Sequence, residues 1–276
     1  MIGFFFRENN ARSIKAVEEL KKLFDEVGYT YRDIFDDDNF DKDCSDIELF
    51  IVFGGDGSVL RATKLALDKI PIIAINTGNL GFLTSYEEGE LKRLVEDIKS
   101  GSVKYSNRRL MKIICNGNVY YALNDAVIVK NYAIDSASEC VKLHFYIDNE
   151  HVDTYVADGL IISTPTGSTA YALSAGAPIV TPRVDALVAA PICAHSLHSR
   201  PIVFASFARP EIIVDKNTKE CALYVDGAIT ERIPCGGNVI IEKGDISVKI
   251  CDFAEKFFEK LSQKLNIWST SDRPKN

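Results

Sequence analysis

The sequence of 276 residues lacks most of the signatures that declare a chemistry outright. Its seven cysteines, at 44, 115, 140, 193, 221, 235 and 251, are odd in number and include no Cys-x-x-Cys pair. That spacing excludes a disulfide framework and a zinc knuckle, and fits scattered reduced thiols in a cytoplasm. Only four histidines occur, with no His-Glu-x-x-His. His195-x-x-His198 has no third ligand at a recognised spacing and reads as structural. No Gly-x-Ser-x-Gly elbow is present, so α/β-hydrolase catalysis has no support. Neither Gly-x-Gly-x-x-Gly nor Gly-x-x-x-x-Gly-Lys-Ser/Thr occurs, which removes the dinucleotide fingerprint and the P-loop together.

Positive charge is also in deficit. Lys and Arg number 32 against 39 Asp and Glu, a formal net charge of -7. That balance argues against nucleic-acid or anionic-membrane partners, while leaving room for one local cationic pocket. Long apolar runs are missing as well. The longest uncharged stretch, Gly159 to Pro182, carries Pro165, Pro178 and Pro182 with three Gly and seven Ser/Thr. This is the wrong composition for a membrane helix. The opening Met-Ile-Gly-Phe-Phe-Phe meets Arg7 too soon for a signal peptide and has no basic segment before it. It reads as a buried strand.

What is present follows two grammars. The length suits one large domain or two modest ones. In the first hundred residues, strand-like runs alternate with helical periodicity. Ile2–Phe6 is followed by Ile14, Val17, Leu20, Phe24 and Val27, with Gly28 as the stop. Leu49–Phe53 ends in Gly54-Gly55, and a helical pattern follows at Val59, Leu60 and Thr63. Pro71–Ile75 is a further strand. Ser85 with Glu88 suggests a capping box for the helix carrying Leu91, Leu94, Val95 and Ile98, which Gly101 ends. Apolar strands without alternation indicate a parallel sheet covered on both faces. After Gly101 the period becomes two, as in Val141, Leu143, Phe145 and Ile147. Turns are expected at Asn116-Gly117, Asp148-Asn149, Asp226-Gly227 and Lys243-Gly244-Asp245. A helix is expected at Ser168–Ala175, and another at Phe253, Phe257, Phe258, Leu261 and Leu265. The six Asp within Asp36–Asp46 suggest a solvated loop.

The expected architecture is therefore an N-terminal parallel-sheet α/β (Rossmann-like) domain over 1–102, then an antiparallel β-rich domain over 103–252. Residues 253–276 form a C-terminal helix that packs back on the first domain. No internal repeat is found.

Four segments carry the chemistry. Phe53-Gly54-Gly55-Asp56-Gly57-Ser58 joins a buried strand to a helix. Its glycines allow tight turning and close backbone approach, and helix-start N–H groups favour phosphate. Asp56 is the odd residue. A carboxylate beside phosphates is repelled unless a cation lies between them or the carboxylate takes a proton from an attacking hydroxyl. The plain alternative is an Asp-Gly turn with Asp56 or Ser58 capping the helix. Asn76-Thr77-Gly78-Asn79-Leu80-Gly81-Phe82-Leu83-Thr84 follows the next strand, where open α/β sheets place ligands. Asn124-Asp125 suits a base edge or ribose hydroxyls, and equally a turn in a β run. The stretch from Asp158 to Tyr171 runs from an apolar strand into a Pro/Gly/Ser/Thr loop. It suits a polar ligand edge or a phosphate, or a helix capped by Ser168 with Tyr171 in the core.

Taken together, the four segments resemble the NAD kinase family over most of the chain. The resemblance implies transfer of the γ-phosphoryl of ATP, as a Mg²⁺ or Mn²⁺ complex, to the 2′-hydroxyl of the adenosine ribose of NAD. It assigns Asp56 as the base, with Gly54, Gly55 and Gly57 lining its turn. Arg61, Asn79, Asn124, Asp125, Asp158, Thr169, Ala170, Tyr171 and Ser174 match NAD- or ATP-binding positions. No metal ligand is assigned. It further implies a cytoplasmic homodimer or homotetramer with small-molecule substrates and no nucleic-acid or membrane partner. Many members carry Arg just before the Asp of the fourth segment, where this chain has Val156 and Ala157. Many have Gln after the late Asp-Gly, where this chain has Ala228. The Gly-Gly-Asp-Gly motif alone is shared with diacylglycerol and sphingosine kinases, so a lipid kinase is the first alternative. A non-catalytic dinucleotide sensor is the second.

Overall fold

A computed structural model describes residues 1–36, 43–131, 140–252 and 257–270, the last six of these by their backbone alone. The chain divides into two compact units, Met1–Arg108 with Ser247–Asn276, and Arg109–Ile246.

The first unit opens with strand β1 (Ile2–Phe6), helix α1 (Ala11–Val27), β2 (Tyr31–Phe35), β3 (Leu49–Gly54), α2 (Asp56–Ala66), β4 (Ile72–Asn76), the short β5 (Tyr86–Glu87) and α3 (Leu91–Ser100). All strand pairs here are parallel, in the order β2-β1-β3-β4, with β5 on β4 at Ile75. Continuous apolar strands form because both faces are covered. Phe4, Phe6, Ile51, Phe53, Ile73 and Ile75 pack with Val17, Leu20 and Phe24 of α1 and Leu91 and Leu94 of α3. The alternate residues Phe5, Phe50, Val52, Ile72 and Ala74 are buried too. Helix α1 starts where Asn10 Oδ1 accepts the Arg12 and Ser13 amides at 3.1 and 3.2 Å, and it ends at Gly28 with φ 77°. The capping box before α3 uses Glu87 and Glu90, not Ser85 and Glu88. Ser85 is unavailable because its hydroxyl donates to the Cys251 carbonyl.

The chain continues through β6 (Tyr105–Cys115), β7 (Asn118–Ala122), β8 (Asp125–Lys130), β9 (Val141–Ile147), β10 (Glu150–Ala157), β11 (Gly159–Ser163), the one-turn α4 (Tyr171–Ser174), β12 (Ala186–Ile192), β13 (Ile202–Ala205), β14 (Pro210–Val214), β15 (Cys221–Val225), β16 (Ala228–Ile233) and β17 (Asn238–Cys251). In the second unit one sheet runs β13-β12-β11-β8-β15-β16, with every pair antiparallel. A second layer contains the antiparallel run β10-β9-β14-β17 and the hairpin β6-β7. Ile128, Leu160, Ile162, Leu187 and Leu223 of the first meet Leu143, Phe145, Ile212 and Val239 of the second in one core. Strand β11 is buried on both faces, because Ile161 packs on the other side with Ala172, Ala177 and Val180.

Lys243-Gly244-Asp245 is not a turn but lies inside the continuous β17. Gly244 is there for close approach: a Cβ on it would sit 2.1 Å from the Leu110 carbonyl oxygen. The helix expected over Ser168–Ala175 is a 3₁₀ turn, Gly167–Thr169, followed by α4, with the break at Ala170. Beyond β17 the chain ends in α5 (Phe257–Thr270), whose Phe257 ring lies 6.0 Å from that of Phe82 in the first unit. Phe253 lies outside the described residues. No helix among the described residues is long and apolar enough to cross a membrane.

Candidate active site

Two groups of candidate residues form, one in each unit. In the first, buried β3 delivers the chain to Gly54-Gly55, and α2 begins at Asp56. Gly55 sits at the N-cap position with extended backbone and brings no side-chain acceptor to the helix start. Gly54 has no room for a side chain, since a Cβ would lie 2.3 Å from Ser58 Oγ. Asp56 does not cap its helix. It reaches across to the second glycine loop, where Oδ2 accepts the Phe82 amide and Oδ1 the Leu83 amide, each at 2.9 Å. A Cβ at Gly81 would fall 2.3 Å from Asp56 Oδ1, so only glycine allows this approach. Two charge-assisted bonds at good length fix the carboxylate plane, while 32% of the side chain stays exposed.

The rest of the second loop is tied down from below. Thr77 Oγ1 lies 2.8 Å from the hydroxyl of buried Ser13, and Asn76 donates to Glu87 at 3.1 Å and accepts the Gly78 amide at 3.1 Å. Asn79 is exposed at the loop tip. One turn into α2, Arg61 donates to both oxygens of Asp36 at 2.5–2.7 Å and to Ser58 Oγ at 3.2 Å. Arg7 Nε joins at 3.0 Å. Asp36, whose side chain is 3% exposed, is thus not part of a solvated loop. A buried carboxylate needs such partners, because desolvating it alone is costly. The Asp residues at 37, 38 and 41 lie outside the described residues.

In the second unit, Asn124 and Asp125 open β8, held by the carboxylate of Asp226 at the β15–β16 turn. Asp226 accepts the amides of Leu123, Asn124 and Asp125 at 2.8, 2.7 and 3.2 Å. Asp226 itself stands at φ 49°, with Gly227 at 77° beside it, which is the type of backbone an Asp-Gly turn supplies. The fourth segment crosses the same place. Thr164 donates its hydroxyl to the Leu123 carbonyl at 2.6 Å and its amide to the Asn124 carbonyl at 2.8 Å. A Cβ on Gly167 would meet the Asn124 carbonyl oxygen at 2.2 Å. The third and fourth segments are therefore one structure. Asn124 Oδ1 is buried and has no hydrogen-bond partner among the described residues. Burial, and secondly the Asp226 carboxylate, push the Asp125 carboxyl up to about 7. An unpaired interior acceptor can take a hydrogen bond from a polar group brought to it.

Asp158 precedes β11 and accepts from Lys130 at 3.0 Å. Thr169 and Ala170 are half-buried in the broken helix, and Ser174 is exposed. Ser168 does not cap it, since its hydroxyl bridges the Pro165 carbonyl at 2.7 Å and the Val180 amide at 2.9 Å. Tyr171 is 45% exposed and is not a core residue.

Two family models match the chain: the ATP-NAD kinase N-terminal domain over residues 8–103 and the ATP-NAD kinase C-terminal domain over residues 123–253. The chain belongs to the ATP-NAD kinase family. It is 37% identical over 231 residues to the NAD kinase of Petrotoga mobilis, covering 82% of each chain. It is 38% identical over 229 residues to that of Clostridium botulinum strain Loch Maree, covering 81% of this chain and 80% of that one. Its fold is that of yeast NADH kinase complexed with NADH, with TM-score 0.82, 22% identity, and 100% of this chain and 90% of that one covered. It is also that of an Archaeoglobus fulgidus NAD kinase in complex with ATP, with TM-score 0.78, 23% identity, and coverage of 96% and 99%. A lipid kinase sharing only the Gly-Gly-Asp-Gly motif would not match both NAD kinase domains.

In this ATP-NAD kinase family member three further residues touch the candidate positions. Asp36 grips Arg61, Asp226 holds the Asn124-Asp125 backbone, and Lys264 of α5 stands 3.8 Å from Asp56 Oδ2. Each is distant in sequence from its partner. Asp36 and Asp226 did leave local signals, but those signals spoke for a solvated loop and a hairpin.

Proposed function

We propose that the protein is an NAD kinase in which Asp56 is the general base. ATP is the phosphoryl donor, and NADP is the product. The observation that carries the assignment of Asp56 is its carboxylate. It is partly exposed, sits at the start of α2 in a turn of glycines, and both its oxygens are oriented by the Phe82 and Leu83 amides.

The reaction needs positioning, charge neutralisation and a base, and no covalent nucleophile. Asp56 takes the proton from the 2′-hydroxyl as that oxygen forms its bond to the γ-phosphorus. The bond from the γ-phosphorus to the β–γ bridging oxygen breaks, and ADP leaves with the electron pair. The Gly54–Gly57 turn lets the backbone approach the reacting groups closely, and the opening amides of α2 favour phosphate oxygens. Mg²⁺ or Mn²⁺ enters with the triphosphate as part of the substrate and neutralises its charge. One carboxylate beside substrate phosphates is a usual way to meet such an ion, and Asp56 is the carboxylate of that kind on this turn.

Asn124 and Asp125 hold the NAD, with Asn124 Oδ1 accepting from an N–H or O–H donor that ends its isolation. Asp158, Thr169, Ala170, Tyr171 and Ser174 contribute further NAD contacts, and Asn79 and Arg61 complete the nucleotide-binding set. The enzyme is cytoplasmic and works as a homodimer or homotetramer. Incubation with Mg²⁺-ATP and NAD, followed by an NADP-specific dehydrogenase, tests the reading. NADP should form one-to-one with ADP. Saturable NAD binding without ADP release, or phosphorylation of vesicle-borne diacylglycerol in place of NAD, contradicts it.

A further inference from the structure

Helix α5 presents two lysines four residues apart, on one face, to the loop that orients Asp56. Lys260 Nζ donates to the carbonyl oxygens of Thr84 and, at 3.3 Å, Phe82. Lys264 Nζ stands 3.8 Å from Asp56 Oδ2 and 4.2 Å from the centroid of the Phe82 ring. Phe82 is the pivot of this arrangement. Its amide donates to Asp56, its carbonyl accepts from Lys260, its ring lies under the Lys264 ammonium, and it packs against Phe257 of the same helix.

The Lys264 side chain is only 20% exposed. Withdrawing an ammonium so far from water is unfavourable unless a charge or a ring face compensates. Here both do. Asp56 in turn has an oxygen facing a cation beyond its two amide bonds, which a carboxylate with four lone-pair sites accommodates. Both amides bind the carboxylate from the 82–83 side alone, and a charge on another side resists its swinging away.

We propose that Lys264 is a positioning residue of the phosphoryl-transfer centre, with α5 as the element that delivers it. It acts through Asp56, holding the carboxylate against the 82–84 loop. This rests on the assignment of Asp56 as the base. The amide bonds set the plane of the carboxylate, and the ammonium resists its rotation out of that plane. A displacement of about 1 Å in a reacting group costs on the order of 10²-fold in rate.

The test compares wild type, Lys264→Met, Lys264→Gln, Lys264→Arg and Asp56→Asn as full-length chains, with thermal midpoints measured alongside. The expected result is a fall in kcat of about 10–100-fold in the Met and Gln variants, with KM for NAD and for ATP within about twofold. Arg should recover most of the rate, because it keeps the charge and the stacking on Phe82. Met or Gln variants that turn over within twofold of wild type, while Asp56→Asn is inactive, overturn the role of Lys264. So does a raised KM for ATP at unchanged kcat, which would place the lysine on the nucleotide instead. A rate loss that merely follows a lowered thermal midpoint, equal in Met, Gln and Arg, reduces Lys264 to packing. An active Asp56→Asn variant instead removes the base assignment, and is separable from all of these.

Discussion

Asp56 and Asp125 are both acidic, yet their surroundings ask opposite things of them. Asp56 keeps part of its surface in water and receives two amides and a lysine. Asp125 is buried, and its closest charged influence is another carboxylate, Asp226. Burial and that repulsion favour the protonated form, so the native state holds a proton that the unfolded chain releases. Between the ordinary aspartate value of 3.8 and about 7, the folded protein binds more protons than the unfolded one. Stability therefore falls as pH rises through that window and is level above it. Asp125→Asn should leave the thermal midpoint unchanged near pH 4 and raise it at pH 8. The gain has a ceiling of about 4 kcal/mol, from roughly three pH units at 1.36 kcal/mol each. Differential scanning calorimetry at the two pH values checks this. An Asn variant no more stable than wild type at pH 8 contradicts it.

Among the elements, the turns that hold site residues from a distance matter most. Asp226 sits about a hundred residues after the backbone it organises, and three amides converge on its two oxygens. Asp226→Asn loses the charge and half the acceptor capacity. KM for NAD should rise about tenfold, the cost of ~1.4 kcal/mol in ordering the Asn124-Asp125 turn. KM for ATP should stay within twofold. Steady-state kinetics with each substrate varied in turn decides it, and an unchanged KM for NAD would show that the turn holds without Asp226. At a helix end unconnected with NAD, Asn10→Ala should cost about 1 kcal/mol of stability by removing the α1 cap, with kcat unchanged. Chemical denaturation and a rate assay measure both halves of that statement.

Elements whose signal is local are the ones legible in the sequence. The parallel strands, α1 between Asn10 and Gly28, the helix ending at Gly101 and the alternation along β9 are set by burial periodicity and by the φ > 0 that glycine permits. The two glycine loops are legible as loops for the same reason. What the sequence hides is long-range competition for the same groups. Ser85 suits an N-cap until Cys251 takes its hydroxyl. Lys243-Gly244-Asp245 reads as a turn because nothing nearby in sequence reveals the Leu110 backbone against Gly244. Ser168 suits a cap until the Val180 amide claims it. Asp36, Asp226 and Lys264 escape notice because an acidic stretch, a hairpin turn and an amphipathic helix each explain them locally.

For the whole molecule, an α/β unit and an antiparallel β unit come from one chain whose last segment returns to the first unit. A 30.6 kDa chain that assembles as proposed should sediment at twice or four times that mass at micromolar concentration, and a single species of monomer mass would contradict the oligomer. The central claim is chemical, and one experiment meets it most directly. Asp56→Asn keeps the size of the side chain and removes the base. NAD affinity by titration calorimetry should remain within about twofold, because the residues proposed to hold NAD are untouched. The rate of NADP formation should fall by at least 10²–10⁴-fold, the usual worth of a positioned base. A variant that binds NAD normally and turns over at near the wild-type rate would remove Asp56 from the mechanism.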